Sequence, residues 1–271
     1  MRFGYCLNAN FLQGDEASQK LFNAVADAGF DYVELPLFSL STMSANELSQ
    51  LKKAAVPCRA CNLFFPPYLS IVGPGMDIAG VRAYLEKMLP LVADLGVETL
   101  VFGNGGARKI PEDASHESIW ANLRTLVEIM DEYAAKTGVI ISVEPLNTME
   151  TNILNSYGEA ATLTKGLQNV ATMVDSYHAA MENQNFDDVF ATPEKLKHLH
   201  TAYPVGRLVP SPEDDMSKYT EFVKMVKQVG YNDKISVEGG LRTKPLDNMY
   251  VEIAAALQVL KNLFYDSVVF G

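Results

Sequence analysis

The chain has 271 residues, a size normal for one α/β barrel and large for most other single domains. Hydrophobic residues make up 48% and charged residues 20%, enough apolar side chains to bury a sizeable core. The formal net charge of −11 gives an average field that repels nucleic acid and anionic membrane surfaces, which argues against both as partners.

The N-terminal MRFGYCLN has no long apolar run behind a charged start, and no stretch approaches 18 uninterrupted apolar residues. Neither a secretory leader nor a membrane span is expected. Three cysteines, Cys6, Cys58 and Cys61, do not make a disulfide framework, so a cytoplasmic location is expected.

Short apolar strands alternate with amphipathic helical patterns along the whole chain. Strands are expected at 3–8, 32–36, 58–64, 99–103, 139–144, 171–175, 197–201 and 234–238. Helical spacing follows at 17–30, where Leu21, Val25 and Ala28 share a face and Gly29 stands near the C-cap. It recurs at 46–56, at 77–95 with a bend or break at Pro90, and at 119–138, which closes on Gly138. SYGEAATLTKGL, the region 188–196, MSKYTEFVKMVKQVGY and MYVEIAAALQVLKNLFYDS supply the remaining helices. Eight βα units in this length predict a single (β/α)8 TIM barrel forming one domain over 1–271. The rival is an open doubly wound sheet. Polar residues at so many strand ends (Glu34, Asn62, Asn104, Glu144, Asp175, His200 and Glu238) favour the barrel, whose single mouth gathers them.

Cys58-Arg-Ala-Cys61 has CxxC spacing, but it lies in a strand-like run. An odd separation along a strand predicts side chains on opposite faces, and hence no redox or zinc pair.

The four last strands carry the chemistry. Each runs through apolar residues to end at or near Glu144, Asp175, His200 or Glu238. Ionised side chains are rarely buried without partners. Singly, each reads as a strand-end group capping its loop. Together at one barrel mouth, three carboxylates and an imidazole form a ligand set for a divalent ion, with Mn²⁺ or Mg²⁺ suited to its oxygens and Co²⁺, Ni²⁺, Fe²⁺ or Zn²⁺ as alternatives. Around them stand Glu150, His178 and Arg207. His198, two residues before His200 on the same strand face, is expected in a hydrogen-bonded structural role.

Carboxylates flanking a carbonyl compound permit deprotonation beside the carbonyl on one face and reprotonation on the other, an epimerisation. Return of the proton to the neighbouring carbon makes an aldose–ketose isomerase, and loss of a β-hydroxyl makes a dehydratase. Other features stay open at this level. The loop Gly103–Lys109 offers Arg108 as an anion contact or is a plain mouth loop. Glu34 and Asn62 are candidate substrate or supporting residues, Arg242 is a further candidate anion contact, and FFPPYLSIVG is either an apolar lid or a packed loop.

The run VExxNxxE, VDxxH, HxHxxxxxxR and hSVEG resembles the xylose-isomerase-like barrel superfamily, and within it the sugar or sugar-phosphate isomerases and epimerases, including ketose 3-epimerases of the tagatose/psicose type. NLFFPPYLSIVGPGMD and VFGNGGARKIPED are similar to loops of that group. The resemblance implies a metal held by Glu144, Asp175, His200 and Glu238, with Glu144 and Glu238 as the acid/base pair working through a metal-stabilised enediolate. It implies substrate contacts from Glu150, His178 and Arg207, and a homodimer or homotetramer. The loop TAYPVGR departs from the GEANR-like run of the ketose 3-epimerases, its arginine displaced by one position. The main alternative is a dehydratase or lyase of the same superfamily, acting on keto-inositols or oxidised glycosides. A nuclease of the AP-endonuclease branch is disfavoured by only four histidines and the negative charge, and a non-enzymatic sugar sensor by the complete set of acid groups.

Overall fold

The structure, a computed structural model, describes residues 1–112, 114–242 and 248–265. Eight parallel strands close into one barrel in chain order: β1 Arg2–Cys6, β2 Tyr32–Pro36, β3 Cys58–Asn62, β4 Thr99–Phe102, β5 Ile140–Val143, β6 Val170–Asp175, β7 Leu196–Thr201 and β8 Lys234–Val237. The barrel is the predicted one, and closure of β1 on β8 removes the open-sheet alternative. Strands are nearly continuous apolar runs because helices cover the outer face and side chains fill the inner one. No helix among the described residues is long and apolar enough to cross a membrane.

The helices start and stop on the expected signals. Glu16–Ala28 is N-capped by Asp15 and closed by Gly29 at φ +88°, a left-handed position open to glycine without penalty. Helix Ile78–Asp94 runs through Pro90 without a break, which leaves the bend as the remaining expectation there. Pro90 and Glu86, whose carbonyl loses its amide partner there, lie on the exposed face, where water can satisfy it. The final helix is described as Met249–Tyr265, so the last two residues of its sequence pattern, 266 and 267, lie outside the described residues.

The CxxC expectation is overturned. A bulge at Arg59 shifts the β2–β3 register, so that Val33 pairs Cys58 and Glu34 pairs Ala60. The extra residue restores a common face, and the two buried thiols lie 3.9 Å apart. Both remain free cysteines.

At the N-terminal end of the barrel, Arg2 grips Glu98 through two bonds of 2.9 and 2.7 Å and Asp233 at 2.7 Å. Buried Lys234 reaches the same carboxylates at 3.0 and 2.9 Å. Hydrogen bonds from Arg2, opposed by burial and reinforced by Lys234, hold the Glu98 carboxyl down at about 2. Inside the barrel, Tyr32 passes from β2 across Gly4 of β1 to place its hydroxyl 2.8 Å from Ser236 of β8. A Cβ at Gly4 would lie 2.2 Å from the Tyr32 ring.

Gly4→Ala is therefore expected to destabilise the fold by about 1–3 kcal/mol, the range for overpacking a close-fitted core, as read by urea unfolding. A midpoint equal to wild type would show that the ring moves freely. The depressed Glu98 carboxyl stabilises the fold fully above its unfolded value of 4.5, and that contribution is lost as pH falls toward about 2. Glu98→Gln should flatten the acid-side loss of stability across that window, and an unchanged slope would contradict it.

Candidate active site

The C-terminal ends of β5 to β8 bring four side chains to one place. Glu144 follows β5, its amide donating to the Phe102 carbonyl at 3.1 Å. Asp175 ends β6 beside His200 of β7 in register, and the Glu238 amide after β8 donates to Thr201 at 3.0 Å. One donor atom from each of Glu144, Asp175, His200 and Glu238 lies within 4.8 Å of the others. The first three are buried, whereas the Glu238 side chain keeps 27% exposure and so faces the mouth.

A buried carboxylate sets the orientation of His200. Glu34 Oε1 lies 2.9 Å from His200 Nε2, and Glu34 Oε2 lies 2.9 Å from His198 Nε2 and accepts from the Ser236 hydroxyl at 2.6 Å. Burial would raise the Glu34 pKa, but the two imidazoles hold it far below the carboxylate range. An ionised carboxylate only accepts, so each ring presents an Nε2–H to it. His200 Nδ1 then faces the site, 3.1 Å from Glu144 Oε1 and 3.2 Å from Glu238 Oε2. Glu34 thus supports His200 and is wholly buried, away from the mouth. His198 is hydrogen-bonded through the same carboxylate.

The site is crowded with negative charge. Burial, together with Glu144 and Glu238, raises the Asp175 pKa against the opposing pull of His178 and His200. Burial disfavours a charged His200, yet Glu34, Glu238 and Glu144 raise its pKa well above the ordinary range. Asp175 Oδ1 accepts from the Tyr177 amide at 2.8 Å, while Oδ2 is buried without a hydrogen-bond partner. An orphaned carboxylate oxygen beside two more carboxylates and an imidazole nitrogen calls for a cation, and this donor set fits a divalent metal ion.

Arg207 reaches the same oxygens from the loop after β7. Its Nη2 lies 2.7 Å from Glu238 and 3.7 Å from Asp175, its Nη1 lies 3.4 Å from Glu150, and the guanidinium stacks over Tyr177 at 4.9 Å. The TAYPVGR loop forms a tight hairpin. Tyr203 and Leu208 exchange backbone bonds of 2.7 and 3.2 Å, and Gly206 and Arg207 both take positive φ, +82° and +51°.

His178 and Glu150 stand at the rim, His178 buried and Glu150 exposed. His178 Nδ1 faces the Asn147 amide at 3.2 Å and side chain at 2.9 Å, and its Nε2 has no hydrogen-bond partner. Asn62 ends β3, buried, with its Oδ1 unpartnered. Arg108, open at the sequence level between an anion contact and a plain mouth-loop residue, is completely buried and donates to the carbonyls of Phe102 at 3.1 Å and Glu144 at 2.5 Å. Burial lowers its pKa to about 10 against the pull of Glu144. It fastens the ends of β4 and β5 from below. Arg242 is likewise engaged, by Asp214 at 2.5 Å and the Val209 carbonyl at 2.9 Å. The 64–73 stretch is mainly a packed loop, with Phe64, Phe65 and Ile71 buried and only Tyr68 strongly exposed among its aromatics.

Two contributors carry no signal as chemical groups. A Cβ at Gly103 would fall 1.9 Å from Glu144 Oε2, so this glycine makes room for the carboxylate. Asn147 was visible only as a letter in VExxNxxE; its contact with His178 joins the loop after β5 to the short helix after the neighbouring β6.

The family model described as xylose isomerase-like TIM barrel matches residues 22–263. A D-psicose 3-epimerase of Agrobacterium fabrum is 26% identical over 81% of this chain and 78% of its own length. A 3-dehydro-D-guloside 4-epimerase of Escherichia coli is 20% identical over 67% of this chain and 72% of its own. Both are isomerases by name, each inverting one stereocentre of a sugar. A crystal structure of a D-psicose 3-epimerase in the presence of D-fructose superposes with a TM-score of 0.80 at 20% identity, covering 98% of this chain and all of that one. The matched model spans nearly all of the barrel and its mouth residues, and the chain belongs to the xylose isomerase-like TIM barrel family.

Proposed function

We propose that this chain is a sugar epimerase that moves a proton at the carbon beside a carbonyl, with Glu144 and Glu238 as the acid/base pair. The observation that carries the reading is the pairing of these two carboxylates, delivered by different strands onto one imidazole nitrogen within 4.8 Å of each other. Epimerase relatives on the same fold support it.

Glu238 is suited to begin as the base. Burial would raise its pKa, but His200 and Arg207 hold it below the ordinary value, so it is ionised at neutral pH. It takes the proton, and the C–H electron pair moves into the bond toward the carbonyl carbon as the carbonyl oxygen gains charge. Return of a proton to the same carbon from the other face, the role proposed for Glu144, inverts the stereocentre. The direction reverses for the opposite epimer. His178 Nε2, without a hydrogen-bond partner in the protein, is placed to donate to a substrate oxygen. Arg207 and Glu150 bind hydroxyls at the rim, and Asn62 adds a further polar contact. A divalent ion held by Glu144, Asp175, His200 and Glu238, Mn²⁺ before Mg²⁺, Co²⁺, Ni²⁺, Fe²⁺ or Zn²⁺, would stabilise the charge developing on the carbonyl oxygen. Among the described residues, only two groups of three or more such donors gather, and they share His200. That leaves no histidine-rich cluster of the kind a multi-zinc nuclease needs.

The E. coli relative's name adds oxidised glycosides to free ketoses as a substrate class. Dehydration or β-elimination on such a glycoside is the second reading, since the first proton abstraction is common to both.

Proton NMR in D₂O with Mg²⁺ tests the reading on ketoses, their phosphates and 3-keto glycosides. Deuterium should enter beside the carbonyl without net loss of water, and Glu238→Gln should slow it by on the order of 10²–10⁴. Exchange accompanied by loss of water would establish the dehydratase instead. No exchange on any compound, with the ion bound, would sink the proposal. Gly103→Ala provides a geometric check. A methyl group there must displace the Glu144 carboxylate, so turnover should fall by about 10²-fold while the unfolding midpoint changes little. Unchanged turnover would remove Glu144 from the acid/base pair.

A further inference from the structure

We propose that Asn147 is a positioning residue that sets the tautomer of His178, so that its ring presents Nε2–H, rather than a lone pair, to the sugar. The inference rests on the epimerase reading for its effect on turnover, but not for the tautomer itself.

The assignment follows from donors that have no alternative role. The Asn147 backbone N–H points at His178 Nδ1 at 3.2 Å, and a backbone amide can only donate. The Asn147 side chain reaches the same nitrogen with Nδ2 at 2.9 Å. Its own orientation is fixed from the far side, because Oδ1 accepts the Met149 amide at 3.1 Å. Turning the amide over would set two donors against each other at Met149. The NH₂ end therefore faces the ring, and Nδ1 receives two hydrogen bonds. A neutral imidazole with an accepting Nδ1 carries its proton on Nε2.

That Nε2 is buried and has no hydrogen-bond partner in the protein. It lies 3.6 Å from Asp175 Oδ2, the orphaned oxygen of the donor cluster, and so at the edge of the space a substrate must enter. A buried N–H left unpaired costs stability unless something completes it. A hydroxyl or carbonyl oxygen of the sugar does so. The opposite tautomer would turn a lone pair toward Asp175 and reject the same oxygen. Asn147 is itself buried and held in the loop after β5, where the Glu150 and Thr151 amides both donate to its carbonyl at 3.0 and 3.2 Å. The loop that delivers Glu150 to the rim thus also fixes the ring that comes from beyond β6.

The test reads the tautomer directly by ¹⁵N NMR of the histidine rings in the Mg²⁺-loaded protein without substrate. Four histidines make assignment by single substitutions practical. Wild type should show His178 Nδ1 as the unprotonated nitrogen and Nε2 as the protonated one. Asn147→Asp replaces the side-chain donor with a carboxylate oxygen, whose negative charge should outweigh the remaining backbone donor and move the proton to Nδ1. Turnover of the epimerised sugar should then fall by on the order of 10²-fold, the usual cost of losing one donor to a reacting oxygen, with KM changed less than kcat. Asn147→Ala keeps the backbone donor and should keep the wild-type tautomer, so a fall in turnover as deep as that of Asn147→Asp would overturn the proposal. A wild-type ring protonated on Nδ1 overturns it whether or not the variants fold. So does an Asn147→Asp protein with the wild-type tautomer. A shifted tautomer with unchanged turnover would overturn the link to catalysis while leaving the epimerase reading intact.

Discussion

Three carboxylates and one imidazole nitrogen share a space less than 5 Å across, and most of the structure around the barrel mouth answers that repulsion. Like charges so close raise the pKa of at least one member or recruit a cation. Both responses are visible. Asp175 is pushed up, His200 is held toward its charged form, and Arg207 leans over Glu238 and Asp175. Such a cluster is unfavourable for folding in isolation. Its persistence at the ends of four successive strands, each fastened into a closed sheet, is the kind of strain that functional sites carry.

The barrel makes the cluster affordable by satisfying everything beneath it. Glu34 is an ionised group with no exposure, yet His200, His198 and Ser236 all bond it, and Tyr32 extends the chain of contacts to the opposite side of β1. A buried charge with a complete hydrogen-bond shell is tolerated where a bare one is not. The same shell decides which nitrogen of His200 meets the site. Arg108 does a related task one layer out. It spends a fully buried guanidinium on two carbonyls, one of them that of Glu144, and so fixes the strand end from which a proposed acid/base group projects.

Much of this was legible in the sequence because strands have a rigid period. Apolar runs closing on Glu144, Asp175, His200 and Glu238 identify both the barrel and the mouth, since a side chain at a strand end has a fixed direction. Where local geometry departs from that period, the reading failed. The Arg59 bulge put Cys58 and Cys61 on one face, and no feature of CRAC announces a bulge. The sequence left Arg108 open between an anion contact and a plain loop residue, because its burial depends on carbonyls that only the folded mouth supplies. Gly103 and Asn147 act through the space and the hydrogen bonds they give to residues distant in sequence, and neither carries a reactive group to draw attention.

Strands and loops also differ in what they can absorb. A one-residue shift in a strand sends every side chain to the other face, so a strand-borne donor set admits no slippage. The TAYPVGR loop shows the opposite behaviour. Consecutive left-handed residues at Gly206 and Arg207 fold the chain back and bring the guanidinium to Glu238 at 2.7 Å. The proposed proton chemistry, which needs carboxylates held at fixed separation, resides on the strand ends. Glu150, His178 and Arg207, the proposed substrate contacts, are carried by loops and a short helix. A barrel of this kind can therefore change its substrate by altering loops while the deprotonation step stays the same, and epimerases acting at different carbons, named among relatives of 20–26% identity, fit that division.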